Sequence, residues 1–251
     1  MRTTHRSLVA LLLSGSIWGQ LLAQSPHIVR VGSSDLQGAN LRSGTDTVDD
    51  FVVKDGLRQA NGTTIRSIAS LQDSSGSAYQ ISSLQWNPQG DTTVTTMVVR
   101  GLDLSLVFHR VKGTHDSAAV TASRIHLTAW VVLPDQPVRL LDLDLEHPVF
   151  GVEGQVPWLL PLLPFAPGYT AVVPHFSPWS GREKWDTVSV VGSEQVVIGA
   201  RTYDCWKVDT GPLGPPGYRM TRWIDKRTRR IVQSALRGTS PGTEYWSYLR
   251  S

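Results

Sequence analysis

Apolar and polar residues alternate with a period of two along most of the chain after residue 46. That spacing belongs to strands with one buried face. Val48–Val53 runs into Lys54-Asp55-Gly56, and Asp-Gly is a strong hairpin signal. Thr63–Leu71 follows a second such signal, Asn61-Gly62, and Ala78–Trp86 ends at Asn87-Pro88-Gln89-Gly90. Thr92–Val99 sets Thr93 and Thr95 against Val94 and Val98. Leu104–Val111 puts Leu104, Leu106 and Phe108 on one face. Val120–Val132 reads as one strand, with Ile125, Leu127, Ala129 and Val131 opposite Arg124, His126, Thr128 and Trp130. In Val138–Leu145 the leucines Leu141, Leu143 and Leu145 alternate with Asp142, Asp144 and Glu146. One-sided alternation of this kind predicts a mainly β protein built on antiparallel sheet.

Residues 147–179 depart from the alternation. Pro157 suits the first position of a helix, and Trp158 to Leu163 is rich in leucine. A short helical segment near 156–164, buried by its leucines, is predicted. Tyr169–Phe176 returns to strand and Ser177–Gly181 to turn. Trp185–Leu236 reads as four short strands with turns between them, one of those turns at Val190–Val196. Asp225 can turn the chain by bonding its own backbone. On Tyr218–Ile224, Tyr218, Met220 and Ile224 share a face. Thr243–Leu249 is a closing strand.

The first residues do not belong to this pattern. Arg2, His5 and Arg6 precede an apolar run that extends to Leu22, with Ala23 at a plausible cleavage position. Residues 1–23 are read as a signal peptide, 24–46 as a loose N-terminal segment, and 47–251 as a single antiparallel β domain. Export places the protein in the periplasm or outside the cell. No second apolar run could span a bilayer, so no transmembrane span is expected after cleavage. The net charge of +3 includes Arg2 and Arg6. Without them 22 basic residues face 21 acidic ones, which gives no reason to expect nucleic acid as a partner. Cys205 is the only cysteine, so no intramolecular disulfide is available.

Several segments in the second half share order and spacing with a known family. They are Leu162-Leu163-Pro164-Phe165-Ala166-Pro167-Gly168-Tyr169, the Val190–Val196 segment, Gly199 with Tyr203-Asp204-Cys205-Trp206-Lys207-Val208, and Trp223-Ile224-Asp225-Lys226 with Arg229-Arg230-Ile231-Val232. Residues of about 150–250 resemble an exported bacterial family of unknown function, related in fold to the lipoprotein carriers LolA and LolB. The resemblance implies a curved sheet or incomplete β-barrel with helix on its concave side. In the carriers that concavity holds acyl chains. The chain lacks the N-terminal lipidated cysteine of LolB, and the family offers no catalytic residues to carry over.

Candidate chemistry is thin. Asp142, Asp144 and Glu146 could hold Ca²⁺ or act as acid and base, but alternation alone explains them as a solvated face. His109, His115, His126, His147 and His175 show no ligand-pair spacing, so no metal site is assigned. Cys205 has no histidine beside it in sequence and reads as a small buried hydrophobe. No catalytic residue and no cofactor is assigned. The eight tryptophans beyond the signal peptide are the unusual feature. They suggest an aromatic-lined concavity for a lipid or other amphiphile, with Trp158, Leu159, Leu162, Tyr169, Trp206 and Trp223 as candidate ligand-binding residues. Three readings stay open. The first is a non-catalytic envelope protein binding such a ligand. The second is a structural protein with a filled core that pairs with an envelope partner. The third, ranked lowest, is a hydrolase.

Overall fold

The structure is a computed structural model that describes residues 27–73, 76–154, 156–212 and 219–250. The expected signal peptide and Tyr218 lie outside them. The described strands are β1 (His27–Ile28), β2 (Gly44–Lys54), β3 (Leu57–Asp73), β4 (Gly76–Trp86) and β5 (Thr92–Arg100). Next come β6 (Leu106–Lys112), β7 (Ser117–Ser123), β8 (His126–Val132), β9 (Arg139–Asp144) and β10 (Thr170–Ser177). The last are β11 (Arg182–Ile198), β12 (Arg201–Pro212), β13 (Arg219–Asp225), β14 (Ile231–Ser240) and β15 (Thr243–Leu249). All fifteen belong to one sheet.

Two antiparallel meanders, β2 to β9 and β10 to β15, join where β15 pairs with β2, from Thr243 opposite Lys54 to Leu249 opposite Val48. The halves of the chain therefore share one sheet. β1 pairs parallel to β10 at one end, and β9 forms the other. The sheet curls until these ends meet without a ladder. The Arg139 guanidinium donates to the carbonyl oxygens of Pro178 and of Trp179, the latter at 2.6 Å. The result is an open, barrel-like curved sheet.

Local chemistry explains the strands and also three departures from expectation. Asp55 (φ 50°) and Gly56 (φ 79°) make the tight turn between β2 and β3, as Asp-Gly should. Asn61-Gly62, in contrast, makes no turn. β3 continues through it, and the register slips between Asp50 and Phe51 of the partner strand, leaving Asn61 as the extra residue of a bulge. Val190–Val196 is likewise a bulged stretch inside the 17-residue β11, not a turn. Val120–Val132 is two strands, because Arg124 adopts φ 56° and reverses the chain there. Ile125 is therefore an exposed turn residue, while Leu127, Ala129 and Val131 do face the core. The segment read as loose already contains β1 and the start of β2.

The helical segment exists as two single 3-10 turns, Val156–Trp158 and Leu160–Leu162, with a proline inside each. They lie inside the curved sheet and fill part of it. Leu159, Leu160, Leu162, Leu163 and Phe150 are at most 2% exposed and belong to the main core. They share that core with Met97, Val99, Leu106 and Val120 from one meander and Val173, Val188, Val208 and Ile224 from the other. A smaller cluster holds Val196, Cys205, Trp223, Val232, Ala235 and Leu249.

Candidate functional site

The apolar segment fills only part of the interior. Beside it a cavity of about 820 Å³ remains, partly open to solvent. Strand register shows how its wall is made. Ile68, Ile81, Met97 and His109 are consecutive cross-strand partners on β3 to β6. Ile68, Ile81 and His109 line the cavity, whereas Ile81 and Met97 also belong to the core, so this row is the floor. Two residues along each strand, roughly 7 Å away, lies the row Asp46, Arg66, Ser83, Thr95 and Val111. Beyond it come Thr64, Gln85 and Thr93. The wall thus turns from apolar to polar within one row. Opposite it stand Pro157, Trp158 and Pro161 of the interior segment, with Trp179 from the β10–β11 turn.

Charge is concentrated in this wall. Arg42, Arg66, Arg229 and Arg230 line the cavity with three carboxylates, Asp46, Asp50 and Glu153. Each carboxylate has protein partners. Asp46 accepts from Arg230. Asp50 accepts from the hydroxyls of Thr64 at 2.7 Å and Ser247 at 2.6 Å. Glu153 accepts from the Ser177 hydroxyl and from Lys184 at 3.0 Å. Burial pushes the Glu153 carboxyl up, but these two hydrogen bonds outweigh it and hold it below the ordinary glutamate value. Asp225 fixes the arginine loop. Its carboxylate accepts the Thr228 backbone N–H at 2.8 Å, and Arg229 closes the turn at φ 61°, as the asparagine-like turn chemistry of Asp predicts.

Three polar groups lining the cavity differ, because they have no hydrogen-bond partner among the described residues. Arg66 interacts only at a distance. Burial draws its pKa below the usual arginine value, and the nearby charges of Asp50 and Asp46 oppose that. His109 is 2% exposed, and neither ring nitrogen meets a protein partner. Burial pushes its pKa down to about 4, so it is neutral at pH 7. The buried indole N–H of Trp158 also lacks an acceptor.

Of the residues singled out from sequence, Trp158 lines the cavity. Leu159 and Leu162 sit behind it in the core. Tyr169 packs edge-on against Phe165, with ring centroids 5.7 Å apart. Trp206 is half-buried, with the Lys226 ammonium 4.6 Å above its ring. Trp223 belongs to the smaller cluster, where its indole N–H donates to Glu194. The cavity wall is therefore mainly hydroxyls and charges, with Trp158 and Trp179 as its aromatic members, rather than aromatic throughout.

Asp142, Asp144 and Glu146 are exposed, as alternation requires, and the two aspartates flank His126 at 3.4 and 3.0 Å. The hydrogen bond to Asp144 raises the His126 pKa. Among the described residues no group of three or more candidate ligands could hold a metal. Sequence reading missed a pair, buried His175 and half-buried Asp186, 3.8 Å apart. Burial lowers the His175 pKa and raises that of Asp186. Only the β10–β11 register brings them near, and neither lines the large cavity. Gly238-Thr239-Ser240-Pro241-Gly242 has the spacing of a nucleophile elbow. It joins β14 to β15, strand to strand, where an elbow needs strand to helix.

Residues 142–237 match a family model, Protein of unknown function (DUF3108). The matched span runs from within β9 into β14. It includes the whole interior segment and the arginine loop, but not the wall of β2 to β6. No curated protein matches the chain. Among solved structures, a β-barrel-like protein of the DUF1849 domain of unknown function from Brucella abortus is 11% identical. It aligns over 83% of this chain and 96% of its own with a TM-score of 0.55, which supports the barrel-like fold. The hypothetical lipoprotein YmcC from Escherichia coli (K12) aligns over 87% of this chain and 90% of its own, at 11% identity and a TM-score of 0.33. That score carries no argument about this chain. Among the described residues no helix is long and apolar enough to cross a membrane.

Proposed function

We propose that this is an exported, non-catalytic protein of the bacterial cell envelope that holds a lipid or other amphiphile in its interior cavity. The cavity carries the proposal. Its volume of about 820 Å³ lies in the usual range for small-molecule sites. Its wall passes from Ile68 and Ile81 to Arg66, Ser83 and Thr95 within one row, which suits a ligand with an apolar and a polar end. The N-terminal signal-like segment supports export. The carrier resemblance points to the same class of ligand.

Mass spectrometry of organic extracts tests this on mature protein purified natively from an exporting host. A stoichiometric amphiphile, lost on Trp158→Ala, is the expected result. Consistently empty protein counts against it. One observation favours a second reading, a protein that pairs with an envelope partner. The terminal strand β9 carries Leu140, 76% exposed, and Val138 beside it is also exposed. A free sheet edge can accept a partner strand. Empty protein that captures a defined envelope partner would favour that reading.

A further inference from the structure

We infer that the cavity is built for an anionic head group, carboxylate or phosphate, with Arg66 as its charge anchor. The inference rests on the binding reading above and names the class of ligand.

Arg66 lies one row above the apolar floor, half-buried and lining the cavity. A guanidinium in such a place normally has carboxylates or carbonyl oxygens hydrogen-bonded to its five N–H donors. Here no described residue hydrogen-bonds it, although Asp46 lies directly opposite on β2. Asp46 is engaged by Arg230, and Asp50 by two hydroxyls. The carboxylates nearest Arg66 are thus turned to other donors, and the guanidinium fork is left for a ligand. Carboxylate and phosphate match that fork with two parallel hydrogen bonds.

Arg66 is half-buried, lines the cavity and has no hydrogen-bond partner among the described residues, the arrangement a site leaves ready for a ligand. Neutral His109 adds no charge, so selectivity between anion and alcohol falls on Arg66. Arg42 and Arg229 add long-range attraction, and Lys184 neutralises Glu153.

The test uses the mature full chain and four probes in isothermal titration calorimetry: octyl phosphate, octanoate, octanol and inorganic phosphate. Octyl phosphate or octanoate should bind about tenfold or more tighter than octanol, the advantage expected of a charge-assisted bond. Arg66→Met should erase that gap while leaving octanol binding within about twofold. The wild-type comparison stands even where the variant folds poorly. Equal binding of anions and octanol by the wild type overturns the anionic site but leaves a binding cavity. Failure of all four probes overturns both. Inorganic phosphate binding as tightly as octyl phosphate supports the anion anchor and assigns a free anion in place of an amphiphile.

Discussion

Replacing Gly62 by alanine should destabilise the protein by about 2–6 kcal/mol. Gly62 sits in the β3 bulge at φ 130°, a backbone region that side-chain-bearing residues occupy at a cost of about 1–3 kcal/mol. A Cβ there would lie 2.0 Å from the Trp86 carbonyl oxygen and 3.0 Å from its carbon. Those atoms are backbone, at the point where β4 ends opposite Thr63. No side chain can swing away, so the end of β4 must peel off. Losing two ladder bonds adds about 1–3 kcal/mol. Gly192 in the β11 bulge is the control. It has no positive φ, and an added Cβ meets nothing within 4 Å. Gly192→Ala should be neutral or stabilise by about 0.5 kcal/mol through the unfolded chain. Urea unfolding at equilibrium measures both. A Gly62→Ala cost below about 1 kcal/mol, or one equal to that of Gly192→Ala, refutes the clash argument.

Other predictions concern the core, its titration and its thiol. Leu162→Ala, at a fully buried position of the interior segment, should cost about 2–5 kcal/mol in the same assay. His109 has a folded pKa of about 4 against 6.5 when unfolded, so the unfolded chain binds its proton first as pH falls. Its contribution is full above pH 6.5 and is lost between 6.5 and 4, a change of about 3 kcal/mol. His109→Gln should flatten that part of the curve of urea midpoint against pH, and an unchanged slope would sink the assignment. Cys205 is fully buried, with its thiol pushed up to about 12 by burial. It should resist a disulfide reagent at pH 8 in native protein and react within minutes in urea; fast native reaction would contradict its burial.

The strands were legible wherever one face is apolar and the other wet. Leu141, Leu143 and Leu145 against Asp142, Asp144 and Glu146 read correctly for that reason. The failures have two physical sources. Asn-Gly signals a positive-φ glycine, and a hairpin turn and a β-bulge both need one, so Asn61-Gly62 could not distinguish them. Reversal at Arg124 was hidden because an arginine at φ 56° carries no turn signature, while Leu127, Ala129 and Val131 keep their period beyond it.

The cavity wall was illegible for a different reason, which bears on what the cavity is for. Alternation reveals a buried face only where that face is apolar. On β3 the inward residues Thr64 and Arg66 are as polar as an outward face would be, and Ile68 is the first to look like core. The aromatic residues drew attention instead, yet Trp223 and Trp206 take partners of their own in Glu194 and Lys226. Trp158 was recoverable because it begins a leucine-rich run that had to be buried somewhere. Interior polar residues that break the folding pattern are held against the tendency to fill a core with apolar side chains, and departures of this kind concentrate at functional sites. Arg66, Ser83 and Thr95 are such residues, and they are cross-strand neighbours in one row of the wall. A barrel selected only for stability would have carried the floor of Ile68, Ile81 and Met97 upward through these positions. The apolar packing stops one row short, which the proposed ligand would account for and packing alone does not.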